Sequence, residues 1–377
     1  MKLDKANLLR ILGAILVALI AGEGLLRLFP QVLPPQEQLW LYERGGSKEP
    51  WSIPDPELGL LTKPRHHERE TTMDYDRLTD TDSRGFDNKE PWPEKADILF
   101  LGDSLLGGLG YNFPSLLGER LPKTRIVNLS LAGASPEHQY RIYRRFGESL
   151  HPGLVISCLY LKSDVNNAID FYTWLKEGQG TDYNYFRTHG RGREVTFSKR
   201  VKELFRGSYL CRAAMSMPAY WVSGGDDGDR VKFPDGSEIL LSLPTIERLC
   251  QGASRQDAAV ESFFRSLESL QKLVVSQGGT FRVVLIPSKE ELYGSARFPK
   301  VLQIAKMVRQ YLDETHVSYL DLYDFIQQQA QQHPPYYSRD IHLNHYGHQL
   351  VAERLAAWLA EQGLIKLEPG QFGSPHS

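Results

Sequence analysis

Two stretches far apart in the sequence carry side chains that together could break an ester. Leu101-Gly102-Asp103-Ser104-Leu105 ends an apolar run in a serine, and Asp340-Ile341-His342-Leu343-Asn344 precedes the last helical pattern. A serine hydroxyl is a weak nucleophile until a neighbouring base takes its proton. A carboxylate close to a histidine can hold the imidazole in the tautomer that accepts that proton. Ser104, Asp340 and His342 therefore read as nucleophile, orienting acid and base. Position 106 is leucine, so the Gly-x-Ser-x-Gly elbow is absent.

Other chemistry-bearing groups are weaker. His342, His345 and His348 are spaced by three, but no acid or cysteine cluster accompanies them and residues 344–347 read as a helix start, which disfavours zinc. Gly107-Gly108-Leu109-Gly110 lacks the Gly-Lys-Ser/Thr of a phosphate loop. Lys289, in Pro287-Ser288-Lys289-Glu290, is placed either on a substrate anion or in a salt bridge to Glu291. His66-His67 reads as a solvated loop pair. Three cysteines without CxxC spacing exclude a disulfide scaffold; Cys211 and Cys250 are the candidate pair, because Cys158 lies in an apolar run.

The elements that must position these residues alternate between Ala96 and Leu364. Apolar runs at 98–102, 126–131, 154–161, 281–286 and 317–322 lack polar alternation, as parallel strands covered on both faces do. Helical patterns at 113–121, 135–150, 258–277, 299–315 and 344–362 lie between and after them. Ser135-Pro136-Glu137 is a good helix start, with a cap, proline and an acid in the first turn. The order predicts an α/β fold, a doubly wound open sheet of five parallel strands with a long insertion after the third. That insertion, Asp164 to Asp257, carries Phe171, Tyr172, Trp174, Tyr183, Tyr185, Phe186, Tyr220 and Trp221. It is too long for a structureless loop, and its aromatics would either face a ligand or build its own small core.

Before the sheet, Lys2, Lys5 and Arg10 precede an uncharged run from Ile11 to Gly22, and apolar character resumes to Phe29. About 20 such residues can span a bilayer as a helix. With the basic residues on its N-terminal side, the run reads as an uncleaved signal anchor that exports everything after Pro30. Glu23 and Arg27 are placed to pair near the outer interface. Residues 30–56 hold six prolines and read as a stalk, and the tail from Glu368 as disordered. With 44 basic and 46 acidic residues the net charge is −2, which removes the global electrostatic case for nucleic acid.

The sequence resembles the SGNH hydrolases of the GDSL esterase and lipase superfamily. Gly102-Asp103-Ser104-Leu105 is similar to the family's first block, which implies Ser104 as nucleophile and its N–H as an oxyanion donor. Leu129-Ser130-Leu131-Ala132-Gly133-Ala134-Ser135 resembles the second, implying the Gly133 N–H as the next donor. Asp340 and His342 resemble the fifth block, with a two-residue spacing where many members have three. The form Asp-x-His-Leu-Asn, with Asp55-Pro56-Glu57-Leu58-Gly59 and Ser83-Arg84-Gly85-Phe86 upstream, resembles membrane-anchored bacterial members near polysaccharide machinery. The third block departs: it reads Lys162-Ser163-Asp164-Val165-Asn166-Asn167, so Ser163 stands where the family's oxyanion asparagine is expected. Loss of one such donor costs about 2.7–4 kcal/mol of transition-state stabilisation, which leaves the Ser163 hydroxyl, or Asn166 or Asn167 turned inward, to supply the bond.

The resemblance implies a flavodoxin-like three-layer domain over 96–366 with its insertion at about 165–257. An anchor at 1–29, a stalk and pre-domain segment at 30–95 and a tail at 367–377 complete the division. It also implies an extracytoplasmic serine esterase or O-acyltransferase working on acyl esters of glycans, without metal or organic cofactor. Asp103, Asp164, Asn166, Asn167 and Lys289 are the candidates for substrate contact. Expected partners are an acylated glycan or lipid, the membrane, and a membrane-bound acyltransferase. Two other readings stay open: a non-catalytic glycan-binding or assembly protein, which Ser163 favours, and a lipase or lysophospholipase on membrane lipids.

Overall fold

The computed structural model describes residues 4–44, 51–107, 111–178, 180–189, 208–222 and 229–367. Gly108 to Gly110, and the tail from Glu368, lie outside the described residues.

Helix α1 (Lys5–Leu28) contains a 20-residue apolar span, Leu9–Leu28, with a mean hydropathy of 2.0 and no buried share. Helix α2 (Pro35–Arg44) follows a short 3-10 turn, then come two antiparallel hairpins, β1 (Ser52–Asp55) with β2 (Gly59–Thr62) and β3 (His67–Thr71) with β4 (Asp76–Asp80). The stalk expected over 30–56 is therefore corrected where it is described. Proline is tolerated in the first helical turn, and Pro35 opens α2 there. Leu58, Leu60, Leu61 and Phe86 are buried in the main core, and that burial holds the segment against the domain. His67 opens β3, where it pairs with Asp80, and His66 bonds Glu68 at 3.0 Å.

The central sheet has the order β11-β10-β7-β5-β6, all neighbours parallel. Its strands are β5 (Ile98–Leu101), β6 (Ile126–Asn128), β7 (Leu154–Tyr160), β10 (Thr280–Ile286) and β11 (Tyr319–Asp321). Every residue of β5 and β7 is buried, which explains their unbroken apolar runs. Helices α3 (Phe113–Arg120) and α4 (Pro136–Ile142) follow β5 and β6. Ser135 caps α4 through a reciprocal bond with His138, and a π turn and a 3-10 turn continue it to Leu150.

The insertion opens with no loop, because α5 (Leu161–Thr173) starts directly after β7. It goes on through α6 (Tyr183–His189), α7 (Tyr209–Val222), the hairpin of β8 (Arg230–Lys232) and β9 (Glu238–Leu240), and α8 (Leu243–Gln251). Phe171, Trp174 and Tyr183 are buried with His138 as an aromatic cluster at its root, whereas Tyr185 and Trp221 are exposed. Cys158, Cys211 and Cys250 are all free thiols. Helices α9 (Ala258–Ser276), α10 (Lys289–Gly294), α11 (Gln303–Glu314), α12 (Tyr323–Gln329) and α13 (His345–Glu361) complete the domain. Helix α9 packs on α4 and α5, and α13 on α3.

Candidate active site

Strands β5 and β7 lie side by side in the sheet although β6 separates them in the chain, which runs from β5 outward to β6 and then crosses back to β7 on the other side of β5. At such a reversal the carboxyl ends of adjacent strands open into a crevice. Ser104 follows β5, and Ser163 follows β7. A Cβ at Gly102 would stand 2.5 Å from Leu106 Cδ1 and 3.3 Å from Cys158 Cβ, so a larger residue would crowd the exit of β5. Asp103 accepts the Leu105 N–H on its carboxylate at 3.0 Å and the Leu106 N–H on its carbonyl at 3.2 Å. These bonds close the turn that presents Ser104.

The Ser104 hydroxyl donates to His342 Nε2 at 2.8 Å. On the other side of the ring, His342 Nδ1 donates to Asp340 Oδ1, which also accepts the His342 backbone N–H at 2.7 Å. An imidazole held in this way has its Nε2 lone pair directed at the serine.

The loop carrying Asp340 and His342 is fixed from three directions. Lys289, fully buried, donates from Nζ to the carbonyls of Ser338, Arg339 and Asp340 at 3.0, 3.0 and 2.9 Å. Burial pushes its amine down to about 8; Lys162 adds to that push, and Glu290, Asp74 and Asp340 oppose it. Asp74, in the β3–β4 turn, accepts the Arg339 and Asp340 N–H groups, and Tyr75 donates to Asp340 Oδ2 at 3.3 Å. From below, the Tyr160 hydroxyl donates to the Ile341 carbonyl at 3.3 Å. Asn344 caps α13 through the Gly347 N–H and ties the loop to the Pro334 carbonyl at 2.7 Å.

Lys289 is thus turned away from any substrate anion, with its amine spent on the loop. The salt bridge to Glu291 does not form either: Glu291 closes a capping box with Ser288, and Glu290 pairs with Lys162 at 3.1 Å. His345 stacks on Tyr111 and His348 lies buried beside Phe113, so of the three histidines His342 is the one directed at Ser104.

Neither the Ser104 nor the Gly133 N–H finds an acceptor among the described residues. Gly133 has φ +74°, a conformation that glycine adopts without strain. Ser163 sits in the first turn of α5 with its hydroxyl 3.3 Å from Asp103 Oδ2 and 3.4 Å from the Tyr160 carbonyl. A single hydroxyl proton directed at either acceptor is not directed at an oxyanion. Asp164 accepts the Tyr160 N–H at 2.8 Å, and burial, with the Asp103 charge beside it, holds its carboxyl well above the usual range. Asp103 is raised as well, chiefly by burial. Asn166 donates back to the Lys162 carbonyl at 3.4 Å, and Asn167 is buried.

Three residues near this site escaped the sequence reading: Asp74, Tyr75 and Arg187. Arg187, from α6, lies against Gly133, where a Cβ would stand 2.6 Å from Nη1. Its guanidinium is 5.6 Å from the Tyr183 ring centroid and has no hydrogen bond or ion pair among the described residues. The density of aromatic and basic residues in the insertion was the one signal pointing there.

Residues 248–376 match the family model of an SGNH hydrolase-like domain, acetyltransferase AlgX. The match takes in Asp340 and His342 but begins after Ser104. No curated protein matches the sequence. Among solved structures, the chain is similar to the acetyl xylan esterase AlAXEase (11% identity, 70% of this chain and 98% of that one, TM-score 0.39). It is also similar to a catalytic mutant of an acetylxylan esterase from Geobacillus stearothermophilus (13% identity, 74% and 99%, TM-score 0.37). A lipase/acylhydrolase from Enterococcus faecalis gives 10% identity, 73% and 98% coverage and a TM-score of 0.38.

Proposed function

We propose that this SGNH hydrolase-like chain is a membrane-anchored, extracytoplasmic serine esterase or O-acyltransferase that acts on acyl esters of glycans. The observation that carries the reading is the continuous hydrogen-bonded path from the Ser104 hydroxyl through His342 to Asp340. Ser104 Oγ attacks the acyl carbonyl carbon while His342 Nε2 takes its proton. The carbonyl oxygen becomes an oxyanion, and the Asp340 carboxylate stabilises the imidazolium. Collapse breaks the ester C–O bond, and His342 returns the proton to the leaving sugar oxygen. Water, or a second sugar hydroxyl, then gives its proton to His342 and attacks the acyl-serine; His342 passes that proton to Ser104 Oγ as the acyl C–O bond breaks, which frees Ser104. Hydrolysis and transfer differ only in that acceptor. An acetyl group is the acyl unit that the AlgX-type family description favours.

The N–H groups of Ser104 and Gly133 are the oxyanion donors in this scheme. With the Ser163 hydroxyl turned to Asp103 and Tyr160, the Arg187 guanidinium beside Gly133 supplies the remaining positive potential. A charge in a partly desolvated crevice acts more strongly than in water.

The test is p-nitrophenyl acetate turnover and fluorophosphonate labelling of the full chain in detergent, beside Ser104→Ala. Both signals should be present in the wild type and vanish in the variant. A folded wild type that neither turns over nor labels would instead favour a binding or assembly role.

A further inference from the structure

Helix α7 has two unlike faces. The inner one packs Tyr209, Ala213 and Met217 against Leu26 and Leu33, and its one charged residue, Arg212, is buried in an ion pair with Glu37. The outer face carries Ala214, Met215, Pro218 and Trp221, all exposed, with Met215 at 66% and Trp221 at 70%. Positions spaced by one, four and seven form one side of a helix. That side is a continuous apolar stripe, and the sheet core does not cover it.

What lies beside the stripe indicates its occupant. Glu23, inside the apolar span of α1, accepts from the Ser208 hydroxyl at 2.8 Å, the Leu210 N–H at 2.9 Å and the Tyr209 N–H at 3.2 Å, and from Arg27 at 2.8 Å. A carboxylate within a membrane span is costly unless it is partnered. Here the start of α7 partners it, and Gly22 brings the Leu210 side chain close. Glu23 lies five residues before the end of the span, about 7.5 Å of helix rise below its outer edge. The first turn of α7 is at that depth, so the apolar stripe begins within the outer ends of the lipid tails.

We infer that α7 is a second membrane contact, whose outer face, including Met215 and Trp221, lies in the outer-leaflet interface of the bilayer beside α1. The inference rests on reading α1 as a retained anchor. Tryptophan at a membrane boundary places its apolar ring and its polar N–H in matching surroundings. Two points of attachment stop the domain from turning about a single helix and hold its crevice at a set height above the lipid. They also make α1 part of the folded protein, since its removal would strip the partner from the inner face of α7.

The test uses the full chain with Cys211→Ser and Cys250→Ser, reconstituted in phosphatidylethanolamine–phosphatidylglycerol vesicles. An environment-sensitive fluorophore is attached singly through Met215→Cys, Trp221→Cys, Leu16→Cys in the span, or Val275→Cys, an exposed position near the end of α9. Lipids brominated high on the acyl chain should quench labels 215 and 221 and leave 275 unchanged. If 16 is quenched while 215 and 221 behave like 275, the inference is overturned and the anchor stands. If 16 is unquenched too, the anchor reading fails and the inference with it. Blue-shifted, unquenched labels at 215 and 221 whose shift disappears as the protein is diluted among vesicles would assign the face to a second copy and overturn lipid as its occupant.

Discussion

Asp74 accepts two consecutive backbone N–H groups, those of Arg339 and Asp340, each at 2.7 Å, and its second oxygen meets the Arg339 guanidinium at 3.2 Å. The tip of a hairpin upstream of the sheet thus sets the pose of Asp340, the acid of the proposed triad. Asp74→Ala leaves three donors, the two backbone N–H groups and the Arg339 guanidinium, without this acceptor, each lost bond worth about 1–3 kcal/mol when buried. We expect kcat to fall by roughly 10- to 100-fold with KM little changed, because the defect is in placing Asp340 and His342. Steady-state kinetics on a soluble ester decides it; an unchanged kcat would remove Asp74 from the positioning role.

Lys289 makes a parallel case from beneath. Lys289→Met keeps the volume but abandons three carbonyls, and stability should drop by on the order of 3 kcal/mol. Urea melts measure that loss, and the fluorophosphonate labelling rate should fall with it. Retained stability would mean that the loop finds other donors.

Arg187 is expected to act through charge. Arg187→Gln should lower kcat by about 10- to 100-fold, less than the roughly 100- to 1000-fold typical for losing a directly bonded oxyanion donor, because the guanidinium acts through its potential. Arg187→Lys should recover part of the rate. Equal losses in the two variants would point to packing against Tyr183 instead.

Stability should depend on pH through two buried histidines. Burial pulls His138 and His348 down to about 3; the charges of Arg187 and Arg141 add to it for the first, and those of His342 and His345 for the second. For a base with a depressed folded pKa, stability is present above the unfolded value near 6.5 and is lost as the pH falls toward 3. Each contributes a slope of about 1.4 kcal/mol per pH unit. Asp87 and Glu291, raised by burial to about 6 and about 7, oppose this, since protonation favours their folded forms. Denaturant melts between pH 4 and pH 6 should therefore show a change of stability with pH that is algebraically lower by about one proton in His348→Phe than in the wild type, whatever the sign of the total. Identical slopes would show that His348 charges without leaving the core.

Much of this site was legible because its chemistry is local in sequence. Asp340 and His342 share one loop, and Ser104 stands at the end of an apolar run, so residue type and spacing alone named them. The strands were legible from short apolar runs: β5 and β7 are buried at every position, and β6, β10 and β11 keep enough buried apolar residues to show the same pattern. Asp74 and Tyr75 were not legible, because β3 alternates exposed and half-buried polar residues and nothing local ties such a hairpin to a loop 265 residues away. Lys289 gave an ambiguous signal: a four-carbon stem reaches ion pair, substrate or carbonyl alike, and only the fold decides which. The prolines of 30–56 misled, since proline opens a helix as readily as it stiffens a linker.

The contact between Gln38 and Arg339, at 2.8 Å, joins a residue made near the start of synthesis to one made near its end. Lys289, Asp340 and His342 are also late arrivals, whereas Ser104 is made early. On the proposed mechanism, a chain growing from its N-terminus carries the proposed nucleophile Ser104 through most of its synthesis without the proposed base His342. The hydrogen-bonded path from Ser104 to Asp340 is complete only when the last strand and helix are in place, so on that mechanism chain order sets when reactivity arises.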